Sequence, residues 1–109
     1  MEKLRVYIAG PLTLGPRPKN INEALRIATL VRIRGHIPFV PHLFELWDMI
    51  FPQHYEFWME LDLEWIKACD ILIRISGESK GADREVAFAE SLKIPVYFGL
   101  ESFINSKNW

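Results

Sequence analysis

Residues 57–98, FWMELDLEWIKACDILIRISGESKGADREVAFAESLKIPVYF, decide the fold. Phe57 to Cys69 carries apolar residues at helical spacing. Asp70 to Ile75 (DILIRI) is a short run of β-formers, and Ser76 to Gly81 is a small polar loop. Ala82 to Lys93 returns to helical spacing, and Pro95 to Phe98 (PVYF) is again strand-like. Upstream, Leu4 to Ala9 (LRVYIA) reads as a buried strand closed by Gly10-Pro11. A helix is expected from Asn20, with Asn20 as N-cap, Glu23 as its capping-box partner and Gly35 as C-cap. His36 to Val40 is a second strand, closed by Pro41. Residues 42–56 are aromatic, contain Pro52, and read as a short helix and a loop. Residues 101–109 hold at most one more helical turn.

The order is β-α-β-α-β-α-β. Such alternation predicts an α/β fold, a flavodoxin-like or Rossmann-like three-layer sandwich around a mainly parallel sheet of four or five strands. Ligands in these folds bind outside the carboxyl ends of the strands. The turn at 10–13, residues 41–43, the loop at 76–81 and residues 99–101 are therefore the places to look for a site.

The chain has 109 residues, half of them hydrophobic and a quarter charged, as expected of one globular domain rather than a disordered chain. Thirteen cations against 14 carboxylates leave a net charge of −1, too little basic excess for a nucleic acid polymer as partner. One cysteine and three scattered histidines exclude an internal disulfide and make a poor metal set, so no metal or cofactor is expected. No apolar run reaches the ~20 residues of a membrane span. The N-terminus lacks the features of a signal peptide. The expectation is a cytoplasmic protein with no membrane partner.

Two carboxylates break the helical pattern. On a wheel of about 100° per residue, Asp62 falls in the middle of the arc formed by Trp58, Met59, Leu61, Trp65, Ile66 and Cys69. Glu60, Glu64 and Lys67 gather opposite. In the later helix, Glu85 lies between Ala89 and Leu92, on the arc that also holds Ala82 and Val86. Carboxylates are rarely buried without a partner. A pair that breaks the rule, each near a strand end that faces the expected cleft, points to a functional site. The competing reading is a buried hydrogen bond or an ion pair to Arg5 or Arg74. Without a metal, two such groups suit glycoside-type chemistry: one attacks or steadies the anomeric carbon and the other handles the leaving group's proton. That role places the carboxyls within roughly 5–10 Å of each other. The member that handles that proton would have its pKa raised by apolar neighbours, and the other would be ionised.

The motifs resemble a known family. Tyr7-Ile8-Ala9-Gly10-Pro11 is similar to the opening signature of the nucleoside 2-deoxyribosyltransferase-like superfamily, which also includes 2′-deoxynucleoside 5′-phosphate N-hydrolases and related nucleotide N-glycosidases. Asp62-Leu63-x-Trp65-Ile66-x-x-x-Asp70 and Ser79-x-Gly81-x-x-x-Glu85 resemble its second and third signatures, in the same order. The resemblance covers residues 4–98 and implies a single domain of this kind over residues 1–109. It implies an ionised glutamate nucleophile at Glu85, a protonated acid at Asp62 that assists the departing base, its pKa raised by Trp58, Trp65 and Leu61, and Tyr7 holding the nucleophile or the sugar. Gly10, Pro11, Leu12, His42, Ser79 and Gly81 fall at substrate-binding positions. Ser79 stands where the phosphohydrolases bind a 5′-phosphate, which favours a nucleotide substrate. Pro11-Leu12-Thr13 is closer to the transferases.

The expected activity is cleavage of the base–sugar bond of a (deoxy)nucleoside 5′-monophosphate. The alternatives are base exchange by a deoxyribosyltransferase, or a non-catalytic nucleotide-binding module. Bland readings also stand for single residues. Ser79 suits a helix N-cap, His42 a loop histidine, Tyr7 a strand tyrosine, and Gly10 and Gly81 turn glycines. Trp47, Trp58 and Trp65 suit core or interface, with base stacking by one of them as the alternative. Asp70 suits local backbone bonding. Four tryptophans in so small a domain, and the tail Phe103 to Trp109, predict a homodimer or larger homo-oligomer.

Overall fold

The computed structural model describes residues 2–109. Its elements are β1 (Arg5–Ala9), α1 (Arg17–Arg34), β2 (Ile37–Phe39), a single 3-10 turn (Pro41–Leu43), α2 (Phe44–Ile50), α3 (Tyr55–Lys67), β3 (Ile71–Arg74), α4 (Lys80–Ser91), β4 (Val96–Phe98) and α5 (Leu100–Ile104). The four strands form one all-parallel sheet in the order β2-β1-β3-β4.

Strand alternation sorts the core into two layers. Val6 and Ile8 of β1, with Ile71, Ile73 and Ile75, pack against Ala24, Ile27, Ala28 and Val31 of α1 and Phe103 of α5. Tyr7, Ala9 and Leu72 point the other way, against Ile66 and Cys69 at the end of α3 and Ala82, Val86 and Ala89 of α4. The sheet is therefore covered on both faces. The face that carries Tyr7 is the one on which α3 and α4 bring Asp62 and Glu85.

Two expectations at element ends are corrected. Helix α1 starts at Arg17 behind Pro16, three residues before Asn20. Pro18 tolerates the first turn because its missing N–H has no partner there. The Asn20 side chain instead donates to the carbonyls of Leu12 (3.1 Å) and Leu14 (2.8 Å), and Glu23 pairs with Arg26. Asn20 thus ties the turn after β1 to α1 rather than capping the helix. Gly35 does close α1, at φ 117°. The C-terminal tail is also used within the chain. Phe103 is fully buried, and the Trp109 carbonyl accepts from Arg34 Nε and the buried His36, both at 2.9 Å. The tail therefore gives no reason to expect an oligomer.

Candidate active site

A cleft of about 900 Å³ opens at the carboxyl end of the sheet. It is bounded by the turn after β1, the 3-10 turn and α2, the first half of α3, and the start of α4. Gly10, Leu12, His42, Asp62, Ser79, Gly81 and Glu85 all line it. Tyr7 lies behind Glu85, fully buried, and reaches the site only through its hydroxyl. Pro11 is not on the main wall; it borders a smaller cavity with Lys19 and Asn20. Its carbonyl is bonded to His42 Nε2 at 3.1 Å.

Glu85 is 5% exposed. Its Oε2 accepts a hydrogen bond from the Tyr7 hydroxyl, and the Asp62 carboxyl lies in the same cleft, near enough for each acid to shift the other's titration. The two acids are therefore neighbours on one cleft wall, as a shared role requires. Burial pushes Asp62 up to about 7. Burial also pushes Glu85 up to about 8, with the neighbouring Asp62 charge adding to the rise and the Tyr7 hydrogen bond opposing it. Both acids are raised, where only Asp62 was expected to be. Two such groups titrate as a pair, which holds one proton around neutral pH. Tyr7 is pushed well above its ordinary value, by burial first and then by Glu85, so it remains a donor. Asp62 Oδ1 is buried without a hydrogen-bond partner among the described residues.

The ion-pair reading of these acids does not hold. The Arg74 guanidinium turns to the Ile75 carbonyl, the Gly77 carbonyl (3.0 Å) and Asp83 Oδ1 (2.9 Å). It thereby staples the loop after β3 to the first turn of α4. Asp70 Oδ2 accepts from the Arg5 backbone at 2.7 Å and lies outside the cleft.

Ser79 is the N-cap of α4, its Oγ accepting from the Ala82 N–H at 3.0 Å. Ser79, Lys80 and Gly81 line the cleft, so the free N–H groups of this helix start sit at its wall. Two glycines sit at close approaches, tight at Gly81 and too close for any side chain at Gly10. A Cβ on Gly81 would lie 3.1 Å from the Tyr55 hydroxyl and 3.4 Å from Met59 Cε, where α3 packs on α4. A Cβ on Gly10 would lie 2.8 Å from Ile75 Cβ, where the ends of β1 and β3 meet.

His42 is 3% exposed. Burial lowers its pKa, so it is neutral at pH 7. Its Nδ1 is buried without a hydrogen-bond partner among the described residues.

Asp48 and Phe44 also line the cleft and were not singled out from sequence. Asp48 of α2 accepts at Oδ1 from Trp58 Nε1 (2.6 Å) and from the Gln53 N–H (3.0 Å). These bonds hold its pKa below the usual carboxylate value, the Gln53 N–H contributing most. Phe44 stacks on Trp58 at 5.7 Å, and both line the cleft. Arg17 reaches the cleft mouth, where Glu45 pairs with it. Aromatic content hinted at this wall. The Asp48–Trp58 bond depends on how α2 folds back and has no local sequence signal.

The chain belongs to the family described as Domain of unknown function (DUF7768), which it matches over residues 4–99. It has a nucleoside 2-deoxyribosyltransferase-like fold. A 2-deoxyribosyltransferase from the psychrotolerant bacterium Bacillus psychrosaccharolyticus superposes with a TM-score of 0.63 at 26% identity, over 85% of this chain and 69% of that one. The 2-deoxyribosyltransferase of Leishmania mexicana gives a TM-score of 0.65 at 20% identity, over 88% of this chain and 63% of that one. The chain thus spans less than two thirds of the Leishmania enzyme. No curated protein matches the sequence.

Proposed function

We propose that the protein is an N-glycosidase that cleaves the base–sugar bond of a nucleoside 5′-monophosphate. The observation that carries this reading is the Asp62–Glu85 pair at the floor of the cleft, with the Tyr7 hydroxyl on Glu85. In the reactive form the pair's single proton sits on Asp62, and the Glu85 carboxylate is steadied by Tyr7. Glu85 attacks C1′ as the base–sugar bond breaks, and Asp62 gives its proton to the departing base. A water then attacks the glycosyl ester, Asp62 takes up its proton, and Glu85 is released. The dry surroundings that raise both pKa values also strengthen the attraction between the carboxylate and the developing positive charge on the sugar.

The start of α4, with Lys80 and the Ser79 hydroxyl, suits a 5′-phosphate. The Phe44–Trp58 wall suits a planar base. Base exchange is the second reading, supported by the 26% identity to a deoxyribosyltransferase. A homodimer is proposed as the working unit. None of the residues of α2 is buried, and Leu46, Trp47, Met49, Ile50, Phe51 and Phe57 leave an apolar surface beside the cleft. Among the described residues, no helix is long and apolar enough to cross a membrane.

The test is to incubate the protein with ribo- and deoxyribonucleoside 5′-monophosphates, with and without a second free base, and to separate the products. Free base without an acceptor supports hydrolysis; a new nucleotide formed only with the acceptor supports transfer. Neither product from any substrate would leave the binding-module alternative.

A further inference from the structure

Resting on the nucleotide reading above, we propose that Asp48 sets the base preference, selecting bases that present an amino group over their oxo counterparts. Asp48 lies in the last half of α2 and lines the cleft with Phe44 and Trp58. Trp58 and Asp62 are one helical turn apart on α3, so Asp48 is anchored next to the reactive pair.

Both anchoring bonds fall on Oδ1, from the Trp58 indole and the Gln53 backbone. Oδ2 has no hydrogen-bond partner among the described residues. Arg17, whose charge acts weakly on Asp48, is paired with Glu45. Asp48 stays ionised through neutral pH, because its bonds favour the charged form. Oδ2 is thus a fixed acceptor at an aromatic wall. It can accept from an N–H but can donate nothing.

A base stacked on this wall must turn a donor toward Oδ2. Cytosine and adenine carry an exocyclic amino group. Uracil and hypoxanthine carry a carbonyl oxygen at the same position, which would face the carboxylate oxygen and be repelled. The other charged groups of the cleft do not offer this contact. Lys80 and Glu78 are at the α4 end, and Asp62 and Glu85 form the floor.

The same geometry dictates what an amide would do. In Asp48→Asn, the amide oxygen must take the Oδ1 position to accept from Trp58 and Gln53. The NH2 group then occupies the Oδ2 position. The acceptor becomes a donor, and the preference should invert.

The experiment measures binding of dCMP, dUMP, dAMP and dIMP by calorimetry to Glu85→Gln, which holds substrate without turning it over, and to the Glu85→Gln/Asp48→Asn double variant. The expected result is at least ~10-fold tighter binding of dCMP than dUMP, and of dAMP than dIMP. The order should reverse in the double variant. Binding of all four without preference, or the same preference in both proteins, overturns the role of Asp48 and leaves the glycosidase reading standing. Binding of none of the four, with no base released by the wild type, overturns both.

Discussion

The hydroxyl of Tyr7, on the first strand, donates to Glu85 Oε2 on the fourth helix, 78 residues away in the chain. The tyrosine is fully buried and its ring stacks on Phe39 at 5.6 Å, so the donor is held from behind. The contact follows from alternation along β1. Tyr7 faces α3 and α4, while Val6 and Ile8 face α1.

Replacing Tyr7 with Phe keeps the ring and removes the donor. A hydrogen bond to a charged group is worth about 1.5–3 kcal/mol. Its loss should raise the Glu85 pKa further, because the bond favours the ionised carboxylate. Wild-type turnover should be bell-shaped in pH, with limbs near 7 and 8 set by the two proton losses of the pair. In Tyr7→Phe the share of the pair with Glu85 ionised should shrink, and the rate at pH 6 should fall at least ~10-fold. A pH–rate profile of both proteins checks this.

Glu85 also costs stability. Its folded pKa lies above the ordinary value of 4.5, so between pH 4.5 and about 8 the native chain binds more protons than the unfolded one. Stability from this group is full below pH 4.5 and is lost as pH rises to about 8. Glu85→Gln removes the titration. Its amide can still accept from Tyr7 and donate to Asp62. The variant should melt higher than wild type at pH 8, by about 4–8 °C per kcal/mol gained, and the gap should close by pH 4.5. Thermal melts across this range test it.

Much of this site was legible in the chain. The two acids stood out because each occupies an apolar helical arc, a pattern that depends only on local spacing. The strands and the two-sided covering of the sheet followed from the alternation of apolar runs. What spacing could not give is distance across elements. The closeness of Asp62 to Glu85 and the raised Glu85 pKa depend on how α3 packs against α4. That packing is permitted by Gly81 beneath Tyr55 and Met59. Asn20 misled as a helix cap because Pro16 and Pro18 already preset the start of α1, freeing its amide for the turn at Leu12 and Leu14.

Gly10→Ala tests the join between β1 and β3. The new Cβ would meet Ile75 Cβ at 2.8 Å. Overpacking of this kind costs about 1–3 kcal/mol. The melting temperature should drop, and the turn carrying Leu12 should shift enough to weaken nucleotide binding. Melting curves and calorimetric titration of one monophosphate read the two effects separately.

The apolar face of α2 gives an assembly test. Ile50 is 65% exposed and Met49 71%. If a second copy covers them, light scattering at micromolar concentration gives twice the 12.8 kDa chain mass. Ile50→Glu should return the mass to that of one chain, with its melting behaviour as a folded domain retained. A wild-type protein that scatters as one chain would contradict the dimer.

The central claim is that Glu85 and Asp62 break a base–sugar bond. The direct measurement is base release from nucleoside monophosphates by wild type, Glu85→Gln and Asp62→Asn, each first shown to be folded by circular dichroism. The wild type should release base, Glu85→Gln should lose at least ~1,000-fold, and Asp62→Asn should keep a slower but measurable rate that improves for bases that leave without protonation. Undiminished release by folded Glu85→Gln, or no release by the wild type from any monophosphate, would contradict it.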